Sequence, residues 1–369
     1  MLLIGREKVG GAEKRYGRVF LKASERDASI FLIINQVLYE SLIKHGIPLD
    51  KSSNVLLIRG DYYSRPSFIH MVLSGLRLYY SVSRLIKRNN ISQLHSMGFL
   101  ILLNALLFVR QKNLCKGISL FDSTLDRNLN SGLLRSLFKC AVRRSDYLDI
   151  LSEDIKKSFS KRYGNLFKGK YYVAPCSFVD YSRCEPAGVT KKNHVVFVGR
   201  LIKDKNPVLF LRAIPTVLQR LGRRCQDITF YIVGEGPLLE SLEGDVERLG
   251  IQKHVNFEHS YTPEKILCGS RIFVSLQAVN NYPSQSLIEA MACENAVVAT
   301  DVGETWKLVD ETTGIRVGQN SESIAAAIVD LFAHPEKLER LGKNARERVL
   351  REHTIERYVD YFTRCISDQ

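Results

Sequence analysis

The sequence lacks the features that define several classes of protein. Its longest apolar run, Gly98 to Val109, has twelve residues and is interrupted by Asn104, whereas a membrane-spanning helix needs about 20. Arg6 and Lys8 come directly after the first short apolar stretch, which is the reverse of the order in a secretory signal peptide. The eight cysteines form no CxxC pair and no cluster with histidine. We therefore expect a soluble cytoplasmic protein with scattered reduced thiols, without disulfide bridges or a zinc site.

Negative charge is scarce in the first half of the chain. Residues 1–185 hold 30 Lys and Arg against 15 Asp and Glu, a balance of +15, whereas the remaining residues hold 23 against 24. Such an asymmetry indicates an anionic partner for one domain only. A membrane surface, a nucleic acid and an acidic substrate would each satisfy it.

Two stretches of the basic half have the pattern of amphipathic helices. Arg135, Lys139 and Arg143 recur every four residues among apolar side chains, and a second basic stretch covers residues 77–88. Basic amphipathic helices suit an anionic membrane surface, although a solvated helix face has the same pattern. No nucleic-acid motif accompanies them. We therefore expect this half to contact an anionic membrane surface and no nucleic acid.

Strand-like and helix-like segments alternate along the 369 residues, a length that suggests two domains. The alternation predicts parallel sheets covered by helices on both faces. In the second half the predicted strands are His194–Val198, Ile228–Val233, Val255–Phe257, Arg271–Leu276 and Ala296–Thr300. In the first half they are Leu2–Ile4, Ala28–Ile34, Val55–Ile58, Ile91–Leu94, Ile118–Phe121 and Tyr147–Leu151. The best linker candidate is Glu185–Asn193, so the pattern predicts two α/β domains with a cleft between them.

The most specific motif follows the first strand of the second half. There a buried strand ends in Gly199 and Arg200, and Lys205 opens the next helix. Two cations at a strand end beside a helix N-terminus suit a diphosphate, because Arg offers a forked pair of donors and Lys a mobile point charge. A solvated basic loop is the alternative explanation.

A second motif runs from Asn281 to Cys293. Pro283 stiffens a turn, Ser284 opens a helix, and Glu289 lies within an otherwise apolar helical stretch. Because an unpaired buried carboxylate is costly, Glu289 needs a partner. A ribose with two hydroxyl groups and a structural salt bridge are both compatible with the sequence.

Together the two motifs resemble the donor site of the family-4 retaining glycosyltransferases. The first resembles their Gly-Arg-Leu-x-x-x-Lys element and the second their Glu-x7-Glu element. The turn Val233–Pro237 and the strand end Ala299–Gly303 follow in the family's order, and Gly10–Glu13 resembles its first glycine-rich loop. The resemblance implies the GT-B fold, in which two Rossmann-like domains with parallel sheets face a central cleft. It implies an acceptor-binding domain at 1–185, a nucleotide-sugar domain at 186–350, and a final helix at 351–369 that returns to the first domain.

The resemblance also implies a role for each matching residue. Arg200 and Lys205 would hold the donor diphosphate and stabilise the leaving nucleotide, and Glu289 would bind the ribose hydroxyls. Backbone N–H groups around Ser284 and Gln285 would meet the sugar or phosphates.

Glycines are expected to let the backbone approach the donor. Gly234 would pass close to the base, and Gly10 and Gly11 would approach the transferred sugar and the phosphates.

The chain departs from the family pattern at several positions. Asn281 replaces the first Glu of the Glu-x7-Glu element, and Glu294 replaces a usual glycine. In the first domain Asp122 occupies the position at which many members have a catalytic His. His95, placed by the predicted strands at the end of the preceding strand, is an alternative contact for sugar or acceptor, although such a His is often structural.

The sequence lacks the motifs for two other kinds of chemistry, hydride transfer and metal-dependent sugar transfer. Gly234-x-Gly236 lacks the third glycine of a dinucleotide fingerprint, because position 239 is Leu, so hydride transfer is not expected. The sequence contains no Asp-x-Asp, so we expect no metal and no other cofactor besides the nucleotide-sugar substrate. Cationic side chains and helix N-termini would then neutralise the departing diphosphate.

The resemblance thus implies a retaining glycosyltransferase, and the lack of a metal motif leads us to expect a metal-independent one. Its expected acceptor is a lipid-linked saccharide at the cytoplasmic face of the membrane, as in bacterial lipopolysaccharide O-antigen or capsule assembly. Two alternatives are a soluble transferase that makes a small glycoside or storage polymer, and a catalytically degenerate protein of the same fold.

Overall fold

The computed structural model describes residues 1–5, 9–59, 68–120, 132–222, 227–260 and 262–368, with the backbone alone for 68–71. The chain forms two compact units. The first comprises Met1–Pro175 together with Ile355–Gln369, and the second comprises Cys176–Thr354.

The first unit contains a parallel sheet of seven strands in the order β3-β2-β1-β4-β5-β6-β7. The strands are β1 (Leu2–Leu3), β2 (Leu32–Asn35), β3 (Val55–Ile58), β4 (Gln93–Met97), β5 (Cys115–Leu120), β6 (Tyr147–Ile150) and β7 (Lys170–Val173). The helices between them are α1 (Gly11–Arg26), α2 (Gln36–Lys44), α3 (Phe68–Arg88), α4 (Ile101–Arg110), α5 (Gly132–Arg143) and α6 (Glu153–Tyr163). Strand β7 was absent from the sequence prediction.

The second unit contains a parallel sheet of six strands in the order β10-β9-β8-β11-β12-β13. The strands are β8 (His194–Val198), β9 (Thr229–Val233), β10 (Val255–Glu258), β11 (Ile272–Ser275), β12 (Ala296–Thr300) and β13 (Gly314–Val317). The helices are α7 (Pro207–Leu221), α8 (Leu239–Leu249), α9 (Glu264–Cys268), α10 (Gln285–Ala292), α11 (Ser321–Ala333) and α12 (Pro335–Glu352). Two parallel sheets of Rossmann-like strand order confirm the predicted fold class.

The central strands β8, β11 and β12 of the second sheet are buried on both faces, as expected for a parallel sheet covered by helices. Alternate residues of β8 enter different cores. Val195 and Phe197 belong to the core that includes α7, and Val196 belongs to the one that includes α10. Both faces of the sheet are therefore covered, and the ends of the strands carry the loops that can reach solvent.

The segment that was predicted as a linker packs within the second unit. The Lys191 ammonium donates to the carbonyls of Ser270 at 2.6 Å and Cys293 at 2.8 Å, and the Lys192 N–H donates to the Gly269 carbonyl at 2.8 Å. Tyr181, further upstream, donates its hydroxyl to the Val349 carbonyl at 2.9 Å. These contacts explain why the second unit begins at Cys176, ahead of the predicted boundary at 185/186.

The chain closes with helix α13 (Ile355–Ser367), which belongs to the first unit. Its apolar face, with Tyr358, Val359 and Phe362, is buried. On its polar side Asp360 pairs with Arg26 of α1. The final helix therefore completes the first unit, at the chain end where the sequence predicted a returning helix.

Candidate anion site at the carboxyl edge of the second sheet

Gly199 and Arg200 follow β8 at the carboxyl edge of the second sheet. The backbone there is tied to the loop after β9: the Gly199 N–H donates to the Val233 carbonyl at 3.0 Å, and the Leu201 N–H donates to the Glu235 carbonyl at 2.9 Å. The Arg200 side chain is exposed. A fixed backbone thus presents a solvent-facing guanidinium at this edge.

Gly234 is required by the close approach of these two loops. Its φ is +148°, and a Cβ at this position would lie 2.0 Å from the Gly199 carbonyl oxygen. Only glycine fits such a contact. The sequence prediction gave Gly234 a role beside a nucleotide base, and the structure shows a local reason for the glycine as well.

Lys205 lies in a short 3-10 helix, Lys203–Lys205, that precedes α7. Its ammonium donates to the side-chain oxygen of Gln277 at 2.9 Å, and the Asp204 carbonyl accepts from the Ala278 N–H at 2.9 Å. Gln277 follows β11, the strand that lies beside β8. The β8–β11 pair is the point at which the strand order reverses, where open parallel sheets bind their ligands.

Burial and the neighbouring Arg200 guanidinium lower the pKa of Lys205 to about 8, against a raising effect of Asp204. Both lowering effects disfavour the charged ammonium. An anion between the two cations would relieve their repulsion and restore the charge on Lys205. A ligand with negative charge would therefore match this pair electrostatically.

Helix α10 begins at the same edge and carries three of the predicted residues. Ser284 is buried at its N-cap position, and the first N–H groups of a helix have no acceptor within the helix and can bind an anion. The Gln285 side chain donates to the Phe178 carbonyl at 3.1 Å and lies 3.5 Å from a carboxylate oxygen of Glu289. Glu289 is half-buried. One neighbour of its carboxylate is thus an amide one turn earlier in the helix.

Asn281 is exposed in the loop between β11 and α10. The residue that organises this loop is its neighbour Asn280, whose side-chain oxygen accepts from the N–H groups of Tyr282 and Glu304, both at 3.1 Å. Sequence analysis missed Gln277 and Asn280. Their position in the loop that follows a predicted strand was the one available signal.

Gly10 and Gly11 begin α1 in the first unit. The Gly10 N–H donates to the Glu13 carboxylate at 3.0 Å, and both glycines are exposed. Gly10 has a φ of −98°, which other residues also adopt. Asp122, the predicted counterpart of a catalytic His, lies outside the residues that the structure describes.

The structure corrects the placement of His95. It is the middle residue of β4 and is 3% exposed, whereas the sequence placed it at a strand end. Its Nδ1 lies 2.9 Å from the Tyr147 hydroxyl and its Nε2 lies 2.6 Å from the Ser119 hydroxyl. Burial lowers the pKa of His95. Both ring nitrogens are engaged inside the first unit, so these contacts support a structural role.

The cysteines also differ in part from expectation. The seven that the structure describes are free thiols. They are not all scattered, however, because the Sγ atoms of Cys268 and Cys293 lie 3.4 Å apart. Within the described residues, no group of three or more His, Cys, Asp or Glu side chains could hold a metal ion. No described helix combines the length and apolarity needed to cross a membrane.

Residues 183–348 match the family described as glycosyl transferases group 1. The second unit is a group 1 glycosyltransferase domain. Over 287 residues the chain is 25% identical to an α-1,4-N-acetyl-D-galactosaminyltransferase of Campylobacter jejuni whose name specifies a saccharide on diphospho-undecaprenol, and the match covers 76% of each chain. It is 29% identical over 181 residues to a GDP-mannose-dependent phosphatidylinositol monomannoside mannosyltransferase of Mycolicibacterium smegmatis, covering 45% of each chain.

The fold of the whole chain agrees with these matches. A crystal structure of Anabaena HepE in complex with UDP and glucose superposes with a TM-score of 0.74 at 16% identity, covering 100% of this chain and 99% of the other. At that identity the likeness shows the fold alone, and the fold is GT-B. The site described above lies in the glycosyltransferase domain, with Arg200, Lys205 and Glu289 all inside the matched residues.

Proposed function

We propose that the protein transfers a hexose, with retention of its anomeric configuration, from a nucleoside diphosphate sugar to a lipid-linked saccharide. The proposed setting is the assembly of a bacterial surface polysaccharide, O-antigen or capsule, at the cytoplasmic face of the cell membrane. In support, the Campylobacter relative is named for a saccharide on a lipid diphosphate, and the fold is that of enzymes that bind UDP-sugars.

The observation that carries this proposal is the pair of cations at the β8–β11 crevice. Arg200 is exposed on a fixed backbone, and Lys205 is held by Gln277 with a lowered pKa. A diphosphate matches this pair in charge. The first N–H groups of α10 and the Glu289 carboxylate would then meet the phosphates and the ribose hydroxyls.

In the proposed reaction the acceptor hydroxyl oxygen forms a bond to the anomeric carbon on the face from which the diphosphate leaves. The bond between that carbon and the diphosphate oxygen breaks, and the departing diphosphate takes the hydroxyl proton. Arg200 and Lys205 stabilise the negative charge that develops on the leaving group. No metal ion and no further cofactor is needed in this scheme, because the two side chains supply the positive charge.

The membrane part of the proposal rests on the exposed face of α3. Leu73, Leu76 and Tyr80 are 50%, 38% and 70% exposed, and they share that face with the exposed Arg77 and Arg84. Apolar side chains flanked by basic ones suit the interface of an anionic bilayer. We propose that this surface of the first unit binds the membrane on which the acceptor resides.

The proposal is tested by incubating the protein with UDP-, GDP- and ADP-sugars and membranes that contain lipid-linked saccharides. We expect one donor to be consumed, with the sugar appearing in the lipid fraction and an α linkage from an α donor by NMR. Chelation with EDTA should leave the rate unchanged. Transfer to water-soluble glycosides alone would favour a soluble transferase, and no turnover of any donor would favour a degenerate protein.

A further inference from the structure

Trp306 is an exposed aromatic residue at the same edge of the second sheet as the cation pair. It is the single tryptophan of the chain and is 54% exposed. It lies in a short 3-10 helix, Thr305–Lys307, in the loop that follows β12. Tryptophan offers a large apolar area that is normally buried. An exposed tryptophan at the same edge as the candidate anion site is therefore a candidate contact for a bound ligand.

A lysine connects Trp306 to a second aromatic ring. The Lys307 ammonium lies 5.7 Å from the Trp306 ring centre and 5.1 Å from the Tyr282 ring centre. We refer to Tyr282, Trp306 and Lys307 as the Trp306 platform. It combines aromatic surface with a cationic hydrogen-bond donor.

The backbone under the platform is held by Asn280. Its side-chain oxygen accepts from the N–H groups of Tyr282 and Glu304, which joins the loop after β11 to the loop after β12. Gly303 has a φ of +54°, and a Cβ there would lie 2.3 Å from the Asn280 Cβ. Lys307 is paired with Glu304. A surface held in this way loses little freedom when it binds a ligand.

The loops that carry the platform follow β11 and β12, beside the cation pair. Gln277, which accepts from Lys205, lies in the loop after β11, and its carbonyl accepts from the Thr300 hydroxyl at the end of β12 at 2.8 Å. Because β12 is the next strand beyond β11 and neighbouring strands are about 4.8 Å apart, Trp306 follows a strand one position further out than the proposed diphosphate position. A donor sugar would lie directly against the diphosphate and the acceptor beyond it, so this position favours the acceptor.

We infer that the Trp306 platform binds a pyranose ring of the acceptor saccharide. A pyranose has an apolar C–H face and a rim of hydroxyl groups, and these match the indole face and the Lys307 ammonium respectively. The inference rests on the proposed function, which supplies the acceptor. Trp306 would act by positioning the acceptor and not through the bond changes themselves.

The sole tryptophan makes a direct test possible, because its fluorescence reports the platform without a label. Wild-type protein saturated with the nucleotide that it binds is titrated with methyl α-glycosides of GalNAc, GlcNAc, galactose, glucose and mannose. At least one glycoside should quench or blue-shift the emission in a saturable manner. No response to any of them would overturn the inference.

Kinetics with Trp306→Ala separate the acceptor from the donor. With the responding glycoside as acceptor we expect its KM to rise by about tenfold or more, with the donor KM changed by less than about twofold and with rescue by Trp306→Phe. Leu249→Ala, which removes an exposed apolar side chain of the same unit (41% exposed), is the control. An equal rise of the donor KM would assign the platform to the donor sugar, and no change in either KM would leave it without a saccharide role; both results would overturn the inference.

Calorimetric binding of nucleotide to wild type and to Trp306→Ala distinguishes the two levels of failure. If the wild-type protein binds no nucleotide, the proposed function is wrong. If nucleotide binds but Trp306 fluorescence responds to no glycoside, only the inference about the platform is wrong.

Discussion

At the scale of the residue, the site depends on one ammonium that is held away from its ordinary pKa. Lys205 is half-buried, bonded to Gln277 and close to Arg200. The free site is electrostatically strained by two like charges, and a bound diphosphate converts that repulsion into attraction. Such a site favours the anion over water because both donors are already in place.

A pH dependence follows from the pKa of about 8 for Lys205. A bound diphosphate favours the charged ammonium, so binding takes up a proton above this pKa and weakens as the pH rises. Between pH 7 and pH 9 we expect the nucleotide affinity to fall by about tenfold, measured by isothermal titration calorimetry. In Lys205→Arg, whose guanidinium stays charged, the nucleotide affinity should change little between pH 7 and pH 9. A wild-type curve as flat as that of the variant would contradict the assignment.

The second residue-scale prediction concerns Gly234. Gly234→Ala should destabilise the second unit by at least about 2 kcal/mol, because the backbone conformation and the Gly199 carbonyl both exclude a Cβ. Urea denaturation followed by Trp306 fluorescence measures this change in the free energy of unfolding.

The matched control is Gly244→Ala, inside α8 with no atom near the new Cβ. It should stabilise the same unit by about 0.5–1 kcal/mol. Equal effects of the two substitutions would mean that the loop contact is not restrictive.

At the scale of the element, helix α13 is fixed to the first sheet by a buried polar contact. The Tyr361 hydroxyl donates to a carboxylate oxygen of Asp149 at 2.6 Å, and the Ser119 hydroxyl donates to the other at 2.6 Å. The Asp149 carboxylate is buried on β6, and its hydrogen bonds hold the pKa below the ordinary value despite the opposing effect of burial. The helix is therefore held by more than its apolar face.

Tyr361→Phe should loosen this helix. A hydrogen bond to a charged acceptor is worth about 1.5–3 kcal/mol, so the protected amides of α13 should exchange at least about tenfold faster in hydrogen–deuterium exchange. Tyr39→Phe on α2, a half-buried tyrosine of the same unit, is the control and should leave α13 unchanged. Unchanged exchange in Tyr361→Phe would show that apolar packing alone holds the helix.

Elements were easier to predict from the sequence than contacts between them. Strands β8, β9, β11 and β12 were predicted because their apolar runs are bounded by turn residues. Strand β13 was missed because Arg316 interrupts its apolar pattern. Strand β7 was missed because it has only three successive apolar residues, which follow Lys170.

Within the candidate site, Arg200 and Lys205 belong to one local motif, so the sequence alone indicated them as a pair. Gln277 was missed because its role depends on β8 and β11 being neighbours in space. His95 was misplaced because β4 extends to Met97, beyond the predicted strand end.

At the scale of the whole molecule, charge and chemistry are divided between the two units. The nearly neutral second half carries the glycosyltransferase domain, and the excess of positive charge lies in the first half. Part of this positive charge lies on the exposed face of α3, next to exposed leucine and tyrosine side chains. In the proposed function one unit holds the donor and the other meets the anionic surface that carries the acceptor.

Co-sedimentation with vesicles tests this division. We expect binding to phosphatidylglycerol vesicles at low salt and little binding to phosphatidylcholine vesicles. Arg77→Ala/Arg84→Ala should weaken binding by about 30-fold, at about 1 kcal/mol for each charge. Arg212→Ala/Arg340→Ala removes two exposed charges from the second unit and should have little effect. Equal losses in both double variants would indicate an effect of net charge alone.

The most direct test of the central claim is a calorimetric binding panel of UDP, GDP, ADP and their common sugars. Wild type should bind one nucleotide with micromolar affinity, and Arg200→Ala/Lys205→Ala should weaken that binding by at least about 100-fold. Lys203→Ala, an exposed cation of the same loop, should bind as wild type does. Binding that survives in the double variant, or an intact protein that binds none of these nucleotides, would contradict a donor site at the β8–β11 crevice.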